Sequence, residues 1–110
     1  MANQILQINF KFALSGVELK QVLSQAADAI SSFPGLVWKI WLINEDQKEA
    51  GGIYCFASQQ ALSAYLESPI VANLKAHPAF THISVKQFDT VNDLTTITRG
   101  PVDVQHQRSI

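Results

Sequence analysis

The sequence predicts an α+β fold in which an antiparallel four-stranded sheet carries helices on one face, in the ferredoxin-like order βαββαβ. Apolar residues that alternate with polar ones mark the strands, and apolar residues at helical spacing mark the helices between them. A chain of 110 residues suits one domain of this kind. We assign residues 1–90 to that domain and residues 91–110 to a C-terminal arm and tail.

The first half of the domain begins with a strand and an amphipathic helix. Apolar and polar residues alternate in ILQINFKF, residues 5–12, as in a strand with one buried face. Ser15 and Glu18 have the spacing of a capping box, which predicts the start of a helix. Apolar residues then recur at helical spacing until a Pro-Gly pair, so the helix is predicted over residues 16–31.

The second half of the domain is predicted as a hairpin, two helices and a last strand. Residues 36–43 and 49–57 are rich in apolar and aromatic side chains and enclose the polar stretch NEDQK. Ser58 is the predicted N-cap of one helix, and Ser68, with a proline after it, is the predicted N-cap of a shorter one. A strand over residues 82–89 completes the sheet.

Composition excludes several classes of partner. The formal net charge is −1 and no basic stripe is present, so we expect no nucleic acid and no anionic membrane surface as a partner. The single Cys55 cannot form an internal disulfide, and no Cys/His spacing typical of a metal site surrounds it. No signal peptide is recognisable, and no stretch approaches the ~20 apolar residues of a membrane span, so we expect a cytoplasmic protein.

The second predicted strand is apolar on both faces, although a sheet with helices on one side needs only one apolar face. Its alternation places Leu36, Trp38, Ile40 and Leu42 on one face, and Val37, Trp41 and Ile43 on the other beside the lone charge of Lys39. The rest of the chain is too short and too polar to cover the second face. We therefore expect a homodimer, sheet against sheet, with Val37, Trp41 and Ile43 at its interface.

The adjacent glycines of the third strand suggest a register for the hairpin. A loop centred near Asp46 would pair Trp41 with Gly51, Ile40 with Gly52, and Trp38 with Tyr54. A large ring over a strand glycine covers exposed backbone, and an aromatic cross-strand pair adds stability. This register is an assumption, since a slip of one residue would move every side chain to the other face.

The strings PGLVWKIW, EAGGIYCF and ALSAYLE resemble the YdhR-type family of mono-oxygenases in the dimeric α+β barrel superfamily. The resemblance extends from the first strand to about Asp89. It implies a homodimer of two ferredoxin-like sheets packed face to face, with a pocket between each sheet and its helices. It also implies oxygenase chemistry without metal, flavin or other cofactor, in which a deprotonated, electron-rich aromatic compound of the phenol or quinol type reacts with dioxygen itself.

Four residues are candidates for such a pocket. His77, after the short helix, could act as a general base near neutral pH, or it could be a surface histidine. Tyr65 and Tyr54 could each donate a hydrogen bond to an oxyanion, or they could pack in the core with the hydroxyl at its edge. Trp38 could stack on a flat substrate or belong to the core.

Two other functions remain open at this point. Haem-degrading members of the superfamily suggest a comparison with Asn9, Tyr65 and His77, although the alternation places Asn9 on the face opposite the apolar side chains of its strand. A non-catalytic dimer that binds a small molecule or serves as a stress-response module is the other alternative. Lys39 could serve in catalysis, but the expected role is an ion pair with Glu49 or with a carboxylate of the second copy.

Overall fold

The computed structural model describes residues 3–102. These residues form four strands and four helices. The elements are β1 (Gln4–Phe12), α1 (Gly16–Ser31), β2 (Leu36–Asn44), β3 (Glu49–Phe56), α2 (Gln59–Leu66), α3 (Pro69–Ala76), β4 (Phe80–Asp89) and α4 (Asn92–Ile97). None of the helices within residues 3–102 has the length and hydropathy needed to cross a membrane.

The four strands form one antiparallel sheet in the order β2-β3-β1-β4. Two crossovers, one through α1 and one through the pair α2 and α3, connect the strands. This is the ferredoxin-like arrangement, and the predicted fold is confirmed. Its core lies on one side of the sheet, where Leu6, Ile8, Phe10 and Phe12 of β1 are at most 4% exposed and pack with apolar residues of the helices. We call this side the helix face and the other side the open face.

The start of α1 agrees with its predicted capping box. The Ser15 hydroxyl accepts a hydrogen bond from the Glu18 backbone N–H at 3.1 Å, and the Glu18 carboxylate accepts one from the Ser15 N–H at 3.0 Å. The backbone bond to Ser15 lowers the pKa of Glu18, because it stabilises the ionised carboxylate. Two of the free N–H groups at the helix start are thereby satisfied, which fixes the point where the chain leaves β1 for the helix.

The register of the β2–β3 hairpin differs from the predicted one by one residue. Asn44 pairs with Glu49, so four residues form the loop and its centre lies between Asp46 and Gln47. The Asn44 side chain accepts a hydrogen bond from the Gln47 N–H at 3.2 Å, and Lys48 closes the loop with a φ of 52°. The observed pairs are Trp41 with Gly52, Ile40 with Ile53, Lys39 with Tyr54, and Trp38 with Cys55.

This register exchanges the two faces of β2. Lys39, Trp41 and Ile43 lie opposite Tyr54, Gly52 and Ala50, which share the helix face with the buried residues of β1. Trp38, Ile40 and Leu42 therefore lie on the open face. The expected placement of Trp41 and Ile43 on the open face is wrong, and Val37 is the additional residue of a bulge between Leu36 and Trp38.

The C-terminal arm crosses the open face from one edge of the sheet to the other. It leaves β4 at one edge, where the Thr90 N–H donates to the Asn3 carbonyl. At the opposite edge, the Trp38 indole N–H donates to the Pro101 carbonyl at 2.6 Å. The sequence predicts that the C-terminal residues leave this face uncovered, and that expectation is wrong for the end of the sheet near Trp38. Cys55, the residue that pairs with Trp38, is fully buried. The expected tail lies largely in residues 103–110, outside the described residues.

Candidate active site

A cavity of about 370 Å³ lies between the helix face of the sheet and the helices α1 and α3. Its walls are mostly apolar, with Leu23 and Ile30 from α1 and Val71 and Leu74 from α3. An apolar cavity with a few polar groups is the usual form of a site for a small organic ligand. Four ionisable side chains line it: Lys39, Tyr54, Tyr65 and His77.

Tyr54 on β3 and Tyr65 on α2 form the polar centre of the cavity. Their hydroxyl oxygens are 3.1 Å apart and share a hydrogen bond, and the two residues are 4% and 2% exposed. Burial raises the pKa of both phenols, because the charged form would lose its hydration. Both therefore stay protonated at neutral pH. Their shared bond uses one of the two hydroxyl protons, which leaves the other available to a ligand oxygen.

Aromatic packing fixes the position of Tyr65. Its ring lies 5.2 Å from that of Phe33 in an edge-to-face contact, 5.4 Å from that of Phe56 and 5.0 Å from that of Tyr54. Such contacts restrict the ring to one orientation and hold the hydroxyl at the cavity wall. The expected alternatives for the two tyrosines, core packing and cavity lining, are thus both true: the rings pack in the core and the hydroxyls meet beside the cavity.

His77 lies at the end of α3 and also lines the cavity. Its Nδ1 accepts a hydrogen bond from the Ala79 backbone N–H at 3.1 Å, and its ring stacks on Phe80 with the centroids 4.3 Å apart. An imidazole nitrogen that accepts this bond carries no proton, so the neutral ring has its proton on Nε2. In this arrangement the acceptor nitrogen of His77 is already used by the Ala79 N–H, whereas the expected role of a base requires a free acceptor.

Lys39 is the cationic group of the cavity, a position that the assumed register concealed. Its Nζ lies 3.3 Å from the centroid of the Trp41 ring and 4.4 Å from that of Tyr54. The expected ion pair with Glu49 is absent, since Lys11 is the residue that approaches that carboxylate, at 4.0 Å. Burial lowers the pKa of Lys39 to about 7, because the ammonium has lost much of its hydration.

Gly52 gives the Lys39 side chain its space. A Cβ atom built on this glycine would overlap the Lys39 Cε and lie 3.4 Å from Nζ. The aliphatic part of Lys39 therefore lies flat on the sheet, across the backbone of the neighbouring strand. Gly52 thus accommodates the Lys39 side chain, whereas the assumed register pairs Gly52 with Ile40 and Gly51 with Trp41.

Trp38 and Asn9 do not reach the cavity. Trp38 lies on the open face and bonds to the arm, so its expected role as a pocket wall is wrong. Asn9 pairs with Gly51 and Ser84, and its side chain accepts a hydrogen bond from Gln7 at 2.9 Å on the open face. The set of Asn9, Tyr65 and His77 therefore does not converge on one site. Within residues 3–102, no group of three His, Cys, Asp or Glu side chains could hold a metal ion.

Comparison with models of protein families identifies the family of this chain. The model of the family described as "Putative mono-oxygenase ydhR" matches residues 5–101. The chain belongs to this family. The match extends past β4 through the C-terminal arm, so the Trp38–Pro101 contact lies within the part shared with the YdhR family. No curated protein sequence matches the chain significantly.

Solved structures show the same fold at low sequence identity. A protein of unknown function from Nitrosomonas europaea is 18% identical with a TM-score of 0.71, and 83% of this chain aligns with 91% of that one. The cofactor-independent oxygenase SnoaB from Streptomyces nogalater is 18% identical with a TM-score of 0.67, over 82% of this chain and 94% of that one. The heme-degrader MhuD from Mycobacterium tuberculosis is 24% identical with a TM-score of 0.60, over 79% and 95%.

Proposed function

We propose that this YdhR-family protein is a cofactor-independent mono-oxygenase for a small aromatic compound of the phenol or quinol type. The observation that carries the proposal is the buried Tyr54–Tyr65 pair beside an apolar cavity, because it supplies a hydroxyl donor to an oxygen of a flat ligand. The similarity of the fold to a cofactor-independent oxygenase supports the same reaction class. Binding, orientation and proton removal are then the tasks of the protein.

The proposed reaction needs no external reductant. Loss of a proton from the ligand gives an electron-rich anion, which dioxygen attacks at carbon. One oxygen atom remains on the reacting carbon as a carbonyl and the other leaves as water. For a phenol, that water takes the hydrogen of the reacting carbon and the hydroxyl hydrogen, and for an anthrone it takes the two hydrogens of the reacting CH2 group. The substrate thereby supplies the electrons. A protonated tyrosine stabilises the anion without competing for its charge, because burial keeps the phenol neutral.

The residues suggested by the haem-degrading relatives do not converge on one site within residues 3–102. Asn9 lies on the open face, away from Tyr65 and His77, so the set suggested by the haem-degrading relatives is not assembled. A non-catalytic binding module uses the same cavity, and oxygen consumption is the measurement that separates it from an oxygenase.

We expect the purified protein to accelerate oxygen consumption by a quinol or an anthrone without added metal or flavin and in the presence of a chelator. An oxygen electrode measures the rate, with protein-free solution as the control for spontaneous oxidation. Tyr65→Phe removes one hydroxyl of the pair and should slow the reaction. Saturable binding of these compounds with no oxygen consumption would instead identify a binding module.

We also propose that the open face is the interface of a homodimer. It retains exposed apolar side chains: Ile40 is 50% exposed and Phe88, opposite Ile5, is also 50% exposed. On the arm, Val91, Leu94 and Ile97 are 56–73% exposed and extend the apolar surface. A second copy of this face would cover these residues, and a stable interface of this kind buries on the order of 1,600 Å² in total.

Ile40 and Ile43 form a matched pair for testing the interface, because they have similar exposure on opposite faces of one strand. We expect Ile40→Asp to dissociate the dimer, since it places a charge in the apolar seam, and Ile43→Asp to leave the dimer intact. Sedimentation velocity at micromolar concentration measures both. A monomeric wild-type chain, or dissociation by Ile43→Asp alone, would refute the open face as the interface.

A further inference from the structure

The described walls of the cavity carry one lysine amine and no carboxylate. Lys39 is the lysine among the described lining residues, and none of those residues is Asp or Glu. No hydrogen bond or ion pair joins the Lys39 Nζ to another described residue. Its contacts are the faces of two aromatic rings, which attract a cation but offer no strong acceptor for its N–H groups. A ligand oxygen would complete this coordination.

The other titratable groups around Lys39 are less suited to accept a proton. The tyrosines are held neutral and would have to become cationic to accept one. His77 uses its Nδ1 as the acceptor for the Ala79 N–H. On α1, Lys20 lies with Trp41 along a separate shallow depression outside the cavity. When the Lys39 amine is neutral, its lone pair accepts no hydrogen bond from a described residue. Among the ionisable groups of the cavity, Lys39 is therefore best suited to accept a proton.

We propose that Lys39 is the proton acceptor of the cavity and that its ammonium then holds the resulting aromatic oxyanion. The Nζ lone pair forms a new N–H bond with the hydroxyl proton of the ligand, and the electrons of the broken O–H bond remain on the ligand oxygen. No oxidant takes part in this step. The proposal rests on the proposed function for the nature of the ligand, and it makes that ligand an aromatic compound with an acidic hydroxyl group.

The position of the amine suits both parts of this role. Because burial lowers the pKa of Lys39 to about 7, a large fraction of the amine is neutral at physiological pH and can accept a proton. Once protonated, the ammonium lies against the anion at a partly buried, mostly apolar site, where opposite charges attract more strongly than in bulk water. The Tyr54–Tyr65 pair supplies a second donor to the same anion.

Ionisation of 4-nitrophenol tests the proposal without any turnover, because the phenol and its anion have different absorption spectra. Titration from pH 5 to 9 with saturating wild-type protein gives the acid dissociation constant of the bound probe. We expect that constant to be about tenfold or more above the free value, since a nearby cation favours the phenolate. Lys39→Met should bring it to or below the free value, because an apolar cavity alone favours the neutral phenol.

Three further variants make the outcome specific. Lys39→Arg keeps the cation and should retain much of the shift, while His77→Gln should retain nearly all of it. Lys11→Met removes the same charge from the open face and should leave the shift unchanged. The proposal is overturned if wild-type protein does not bind the probe at millimolar concentration, if Lys39→Met keeps the shift, or if His77→Gln abolishes it. Oxygen consumption by the wild type in any of these cases would preserve the proposed function and remove only the role of Lys39.

Discussion

Lys39→Met is expected to lower the rate of oxygen consumption about 10²–10⁴-fold on a confirmed substrate, the usual contribution of a general base. In the wild type the rate should rise with pH through about 7 and then level off, because the amine accepts a proton only when it is neutral and its pKa is about 7. The measurement is kcat/KM against pH with an oxygen electrode. The pH dependence near 7 should disappear in Lys39→Met.

Lys39→Arg separates the two parts of the proposed role. Arginine keeps the positive charge but does not lose its proton in this pH range, so it can hold an oxyanion and cannot accept a proton. We expect it to bind 4-nitrophenolate and to be nearly as slow as Lys39→Met. His77→Gln serves as the comparison, with a smaller loss and a retained pH profile. If Lys39→Met keeps the wild-type rate, or if the pH dependence of kcat/KM disappears in His77→Gln instead, a group other than Lys39 accepts the proton of the substrate.

The second large effect is expected at Gly51. A Cβ atom at this position would overlap the Ile8 carbonyl oxygen and lie 2.9 Å from the Asn9 Cα, both in the backbone of β1. Relief requires the two central strands to separate, so Gly51→Ala should lower the free energy of unfolding by about 3 kcal/mol, the upper end of the usual range for overpacking. Denaturant unfolding at fixed protein concentration measures the change.

Gly52→Ala provides the matched control for Gly51→Ala. At Gly52 the atom that a Cβ would overlap is the Cε of the flexible Lys39 side chain, which can move aside, and the nearest backbone atom, the Ile40 carbonyl oxygen, lies 3.3 Å away. We expect a loss of less than about 1 kcal/mol in the free energy of unfolding, below the usual range for overpacking. Equal destabilisation by the two substitutions would contradict the register in which Gly51 faces the β1 backbone and Gly52 faces Lys39.

Local patterns in the sequence predict the elements well but not the details of the site. The alternation of β1 places four apolar side chains on one face, and the structure buries all four. Ser15 and Glu18 predict the start of α1 because capping depends only on nearby residues. The family resemblance is confirmed over residues 5–101. These predictions succeed because each depends on a short segment or on the overall order of elements.

The site was harder to predict because it depends on pairing between strands. The hairpin loop has four residues, and a centre shifted by half a residue moves the pairing by one position. That shift exchanges Trp38 for Lys39 as the neighbour of Tyr54, and so replaces an aromatic wall with an amine. The role of His77 depends on its bond to the Ala79 N–H, a contact that no spacing in the sequence indicates.

The two tryptophans of β2 lie on opposite faces of a single strand. Trp38 bonds to the arm at Pro101, and Trp41 lies beneath the Lys39 ammonium at the cavity. Indole fluorescence responds to its immediate surroundings, so each ring is an optical reporter for a different event. A chain with Trp41 replaced by Phe would report on the arm and the open face, and a chain with Trp38 replaced by Phe would report on ligand entry. Subunit association and ligand binding could thereby be followed separately in the same 110-residue protein.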